Sequence, residues 1–403
     1  MIFFYLLVAV MPLVRHPIWA ETQIAGVTLN KYLGVICLLV GVMYLGARRT
    51  PPQLFQTAQS RLFVLFGLAT IASYVGGGSE IPLEISPLAN WVSFLLLFFL
   101  TGVLVDSIQR LRWTLLALIG GVAFASLHLI KEWINWGGGR PGWVTGDPNY
   151  FALSALLCLP LAALLAQDPV PFWERAYCLG CLVVMLVAFS LAGSRGGFLG
   201  LIASFVAVVL YSQRPLRNLA LGGLLTGTLL YAAPTSPLAR LLTPMQFDQE
   251  STDIRAALFW AGLEMFKQHF LTGIGVGNYK AMIHLYGDPN ATLENVAHNT
   301  YLETATEMGI LGLLVFAAIL FFSWLSFRRV RIATQTRPDD TRVINTAARG
   351  LEAGLLGAVV AICFLSALHV RLLWFVVILS MCLRPLTIET MEETAASPVA
   401  VGR

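Results

Sequence analysis

The sequence predicts an all-α polytopic membrane protein with about twelve transmembrane helices, and three observations carry that expectation. Of 403 residues, 57% are hydrophobic and only 12% are charged, with a mean hydropathy of +0.74. A water-soluble domain usually carries about 25% charged residues, so this chain could not cover a water-facing surface and lipid must be its solvent. Apolar stretches recur along nearly the whole length, and arginines collect in alternate loops between them.

Crossing about 30 Å of hydrocarbon takes about 20 helical residues. The apolar stretches place spans near 2–14, 31–47, 61–76, 88–106, 113–131, 149–167, 176–192, 197–212, 217–233, 299–326, 347–367 and 370–386. The opening MIFFYLLVAVMPLV has no charged leader, so it reads as a retained first helix and not a removed signal. With that end cytoplasmic, the inner segments hold Arg48–Arg61, Arg110–Arg112, Arg175, Arg214–Arg217, Arg328–Arg349, Arg384 and Arg403, 16 of the 26 basic residues. Most lie in short loops, where the positive-inside rule applies. The expected organisation is one transmembrane domain over 1–388, with a periplasmic loop at 233–298 between spans 9 and 10. A cytoplasmic tail at 389–403 is expected to be disordered. Within the loop, STDIRAALFWAGLEMFKQHF reads as a helix that Ser251, Thr252 or Asp253 can cap.

Composition also narrows function. The net charge of +4 is spread without a basic block, which argues against nucleic acid as a partner. All six cysteines fall inside apolar runs, and Cys178 and Cys181 read as buried filler and not as a metal or redox pair. No zinc-type ligand set appears, so no metal is expected.

The residues that could carry chemistry cluster on the face opposite the arginine-rich loops. In LAGSRGGFLG (191–200), Arg195 stands inside a very tight reversal between two spans. An arginine at bilayer depth costs on the order of 2.5–3.5 kcal/mol by insertion scales, so it needs a partner or a wet cavity. Ser194 flanks it, and Gly196 could let backbone approach a ligand closely. Snorkelling to the headgroups is the alternative reading. Arg255, in the loop helix, could grip a phosphate through paired hydrogen bonds, or could be an ordinary solvated residue. The turn GGGRPGWVTGDPNY (137–150) supplies Arg140, with Asp147 starting a turn before Pro148. GIGVGNY (273–279) follows no strand, so it reads as a flexible turn back to the membrane and not as a nucleotide loop.

The segment AHNTYLETATEMGILGLLVF (297–316) is the most informative. Thr300 and Glu303 match a capping box, which starts a helix at Thr300. His298 and Asn299 then precede the helix N-terminus, whose positive dipole end favours a neutral imidazole. A neutral imidazole is what a general base requires. Glu303 and Glu307 continue along one face inside a span, where carboxylates should face the bundle interior. The competing reading is a satisfied interfacial histidine beside a capping glutamate. His16, His128, His269, His284 and His369 have no partner that the sequence identifies.

Taken in order, S-R-G-G at 194–197, an arginine helix ending H-F-L-T-G-I-G-V-G-N-Y, and H-N-T-Y-L-E-x-x-x-E-x-G-I-L-G from 298 closely resemble the O-antigen ligase/polymerase superfamily (WaaL- and Wzy-type membrane proteins). D-P-N-Y-F-A at 147–152 resembles that family's earlier turn. The resemblance implies a C-type glycosyltransferase of the bacterial inner membrane whose active site faces the periplasm. The implied donor is a glycan on undecaprenyl pyrophosphate, and the implied acceptor is lipid A-core, a growing glycan or a protein hydroxyl. Carried over by motif position, Arg195, Arg255 and Arg140 would bind the pyrophosphate and His298 would deprotonate the acceptor. Ser194, Gly196, Asn299, Glu303 and Glu307 would support them, with no metal or other cofactor. A transporter or lipid-linked glycan flippase is the rival from another class, since buried arginines could line a substrate path. Such proteins commonly show paired repeats and interrupted helices, and the sequence shows neither.

Overall fold

The computed structural model describes residues 1–24, 27–47, 54–76, 87–137, 141–211, 215–232, 246–287, 296–335 and 341–396. Fourteen α-helices cover most of these residues. They are α1 (Ile2–Val10), α2 (Leu29–Ala47), α3 (Ala58–Gly76), α4 (Pro87–Leu104), α5 (Ile108–Asn135), α6 (Pro148–Leu165) and α7 (Phe172–Ala192). The others are α8 (Arg195–Leu210), α9 (Pro215–Ala232), α10 (Gln246–Gln268), α11 (Tyr279–Met282), α12 (Thr300–Thr334), α13 (Arg342–Ala361) and α14 (Arg371–Ala396). A two-residue ribbon pairs Gln23 with Thr28 and Ile24 with Val27.

Each of the twelve expected spans falls on one of these helices. Nine helices among the described residues are long and apolar enough to cross a membrane, with α13 extended to Phe364 by a further turn. The three that fall short are α1, the 16-residue α8 and α9. The chain is a polytopic α-helical membrane protein. Helix α14 runs on through Ala396, past the boundary expected at 388. TIETMEETAA contains no breaker to stop it.

Small residues set the packing. Apolar side chains gain nothing by leaving lipid, so membrane helices associate where backbones can approach closely. On α13 a Cβ added at Gly354 would stand 2.8 Å from the Leu157 carbonyl oxygen of α6. One at Gly357 would stand 2.6 Å from the Gly200 oxygen of α8, and the reverse distance is the same. Helix α13 is thus wedged between α6 and α8 with backbone on backbone. A second core is aromatic: Trp374 of α14 meets Trp91 of α4 at 4.7 Å between ring centroids, with Phe63, Phe66 and Phe316 around them.

The bundle has two chemically distinct ends. At one, arginines are matched by carboxylates: Arg112 pairs with Glu174, Arg110 with Asp106 and Arg331 with Glu352. Tyr211 also donates to Glu352 at 2.9 Å, and Arg331 stacks over its ring. At the other end lie the starts of α6, α8, α12 and α14.

Candidate active site

The site end is assembled from short turns. Helix α7 stops at Ala192 because Gly193 takes the left-handed conformation, φ 62°, which glycine adopts at no steric cost. Ser194 then caps α8, its Oγ accepting from Gly197 N at 3.2 Å and donating to Asn149 Oδ1 at 2.8 Å. The reversal therefore takes two residues, and the first helical position of α8 is Arg195, half-buried. Asp147 caps α6, accepting from Asn149 N at 2.6 Å. The serine–asparagine bond locks these two helix starts together. Gly196 does permit a close approach, but to a neighbouring helix end: a Cβ there would meet the Phe364 Cβ at 2.6 Å.

Phe364 opens the loop between α13 and α14, and that loop grips the start of α12. The Thr300 hydroxyl donates to the Leu365 oxygen at 2.5 Å and accepts from Ala367 N at 2.9 Å. Thr300 is therefore not the helix cap. Asn299 is, with its Oδ1 accepting from both Tyr301 N (3.0 Å) and Leu302 N (3.1 Å). The start at Thr300 stands as read, while the capping box is replaced. An asparagine one residue earlier satisfies two orphan amides, and the threonine hydroxyl is engaged elsewhere.

His298 is the one non-glycine among the described residues with positive φ, at 49°. Histidine tolerates this region better than most residues, yet a non-glycine there costs of order 1–3 kcal/mol and persists only where neighbours enforce it. Both flanks do so. Asn299 is fixed by capping, and Ala297 is buried in a cluster with Leu258, Ala261 and Met265 of α10.

The same cluster locates Arg255, which is half-buried one turn before Leu258. Helix α10 begins at Gln246, well before the Ser251–Asp253 caps that the sequence suggested, because QFDQE is itself helix-compatible. Tyr279 donates to the Leu258 oxygen at 2.7 Å, and a Cβ at Gly262 would meet Leu302 of α12 at 2.9 Å. Packing thus joins Leu258, one turn after Arg255, to Ala297, the neighbour of His298, while the Thr300 hydroxyl holds the loop whose Phe364 sits on Gly196, the neighbour of Arg195. Segments far apart in sequence converge on one end of the bundle. Arg140 lies outside the described residues.

Glu303 and Glu307 are both buried, 6% and 2% exposed, and the Oε2 of each has no hydrogen-bond partner. Glu307 Oε1 accepts from Tyr279 N at 3.3 Å. Just beyond them α12 is broken at Gly309, φ 67° and ψ −171°. One span is therefore interrupted, contrary to the sequence expectation, because a lone glycine in an apolar run gives no local sign of a break. The break frees backbone groups at membrane depth, where each must find a partner inside the protein. The segment after α10 supplies them: Ile310 N donates to the Phe270 oxygen (2.8 Å), Ile274 N to the Thr306 oxygen (2.9 Å) and Gly275 N to the Glu307 oxygen (3.1 Å). Added Cβ atoms at Gly273 and Gly309 would fall 2.3 and 2.2 Å from the opposing backbone. GIGVGNY is therefore a docked segment, held on α12 and, through Val276 N to Ser73 Oγ at 3.2 Å, on α3.

Some partnerships were invisible in sequence. The His16 and His128 rings meet at 5.0 Å between centroids, and His269 Nε2 lies 3.0 Å from the Tyr286 hydroxyl. His369 and Arg371, in and after the loop that holds Thr300, also join this end of the bundle. Arg371 is the first residue of α14, and nothing in the sequence singled it out.

Spans, broken helix and polar end together define a multi-pass membrane protein with a buried polar site at one face. Residues 180–317 match the family model Wzy_C, O-antigen ligase. The match supports the O-antigen ligase/polymerase superfamily indicated by the motifs, and with it an enzyme of lipid-linked glycan transfer or polymerisation. No curated protein matches the sequence.

Proposed function

We propose that the protein transfers a glycan from undecaprenyl pyrophosphate to an acceptor hydroxyl at the periplasmic face of the bacterial inner membrane, most simply lipid A-core. The observation that carries this reading is the strained, doubly anchored His298 between α10, which bears Arg255, and the loop that touches Gly196 beside Arg195. Strain of this kind concentrates where geometry must be held for function. In the proposed step, His298 takes the proton of the acceptor hydroxyl as its oxygen attacks the anomeric carbon. The bond from that carbon to the pyrophosphate oxygen breaks, and undecaprenyl pyrophosphate leaves with the electron pair, inverting the configuration. Arg195 and Arg255, with Arg140, hold the diphosphate, whose growing charge fixed guanidiniums stabilise best. Ser194 and Asn299 set the two helix starts, Gly196 seats Phe364, and Glu303 and Glu307 shape the floor. No metal is assigned a role.

The proposed architecture is one transmembrane domain over 1–388 with the 233–298 loop inserted, the N-terminus cytoplasmic and twelve crossings, α1, α8 and α9 included. Deletion of the gene tests the reaction: accumulation of unattached long glycan on its lipid carrier is the expected result. Single repeat units on core would reassign the same chemistry to polymerisation, and loss of glycan from proteins alone to protein glycosylation. Unchanged surface glycan, or purified protein that moves lipid-linked glycan across liposomes without forming a glycosidic bond, would overturn the proposal.

A further inference from the structure

The loop between α13 and α14 carries three polar groups that the proposed reaction does not use. Ser366 is buried and faces Glu303 of α12, and Nδ1 of His369 is buried without a partner. Arg371, the first residue of α14, is partly buried, and among the described residues no carboxylate or hydrogen-bond acceptor meets it. The contrast with the opposite end is informative, since Arg110, Arg112 and Arg331 there each have a carboxylate. A guanidinium withdrawn from water without a counter-charge is costly. Its place at a helix N-terminus adds to that cost, because the macrodipole is positive there. Both penalties vanish when an anion binds, and the free amides of the helix start then become donors as well.

The loop is also held rigid. Thr300 fixes Leu365 and Ala367, the Trp374 indole donates to the Leu368 oxygen at 2.7 Å, and Phe364 sits on Gly196. Donors held this way bind without a further ordering cost. Glu303 faces Ser366 from α12, so a bound anion belongs on the His369–Arg371 half of the loop, away from that carboxylate.

We propose that His369 and Arg371 form a second phosphate-binding site, distinct from Arg195 and Arg255, for the phosphate of a membrane lipid. A phosphate fits because its oxygens accept from a guanidinium fork, an imidazole N–H and helix-start amides at once. A lipid carrier fits because the site lies at the end of apolar spans. The site stands on its unpaired donors and does not require that the protein transfer glycan.

The test is native mass spectrometry of the purified full-length protein in detergent, titrated separately with phosphatidylglycerol, undecaprenyl phosphate and the uncharged alcohol undecaprenol. Wild type should retain the phosphate lipids well above undecaprenol. Arg371→Gln should weaken that retention by about tenfold, His369→Ala by less, and Arg371→Lys should keep a part of it through its point charge. Loss confined to undecaprenyl phosphate would identify a polyprenyl carrier, and equal loss of both a general headgroup site; either supports the proposal. Wild-type retention of both lipids by Arg371→Gln and by His369→Ala would overturn it, and His369→Ala keeps the test open should Arg371→Gln not fold. Phosphate-lipid binding that depends on Arg371 in a protein with no transfer activity would sink the proposed reaction and leave this site standing.

Discussion

Gly309→Ala should detach the glycine-rich segment from α12 while leaving the bundle folded. At φ 67° and ψ −171° the residue occupies a region that is essentially reserved for glycine, so any side chain there costs about 1–3 kcal/mol. The added Cβ would also lie 2.2 Å from the Leu271 oxygen and 2.8 Å from Thr272 N. Backbone on a docked segment cannot yield there without moving as a unit. That movement breaks up to three backbone hydrogen bonds, from Ile310, Ile274 and Gly275, at about 1 kcal/mol each. With all three broken the total is roughly 4–6 kcal/mol, enough to depopulate the docked state of a local element. Hydrogen–deuterium exchange in detergent reads this directly: amides of Ile274 and Gly275 should lose protection while those of α6 and α13 keep theirs. Gly180→Ala on α7, where a Cβ meets nothing within 4 Å, is the control. Unchanged protection at Ile274 and Gly275 in Gly309→Ala would refute the claim that the break and the segment hold each other.

Further expectations follow from individual contacts. Gly354→Leu should prevent α13 from seating on α6, since even a Cβ stands 2.8 Å from the Leu157 oxygen; near-wild-type thermal stability would refute the wedge. Arg195→Lys should slow glycan transfer despite the conserved charge, because an ammonium cannot form the planar fork; an unchanged rate would favour snorkelling. Burial holds the His369 imidazole down at about 4 against an ordinary 6.5. The unfolded chain therefore binds the extra proton between those values, and the stability that the neutral ring contributes is full above pH 6.5 and lost as pH falls. Going from pH 7.5 to pH 5 in lipid-free detergent should cost about 2 kcal/mol through this group. A His369→Gln melting curve with the same pH dependence as wild type would rule that out.

The sequence carried most of this architecture because lipid imposes a strong pattern. Runs of apolar residues fix where helices form, and arginine placement separates the two ends. The tight reversal at Ser194 and Arg195 and the helix start just after His298 were legible because turns and helix starts need particular residue types. Other features were not, for identifiable reasons. Thr300 and Asn299 are both good caps, and only the loop that occupies the Thr300 hydroxyl decides between them. Gly309 looks like a tolerated glycine inside a helix; what marks it is the docking of Gly273 and Gly275 from more than thirty residues away. Nothing in the sequence singles out Arg371, because absence of a partner is a property of the folded environment. The His16–His128 contact spans 112 positions, a separation that no local pattern encodes.

The central claim is that His298 is the base of a lipid-linked glycan transfer held at this end of the bundle. Purified protein given an undecaprenyl-pyrophosphate-linked glycan and an acceptor measures it in one assay. The account predicts that His298→Ala still binds the donor and melts like wild type, yet forms product at least about 10²-fold more slowly. Product formation by that variant at the wild-type rate would contradict it.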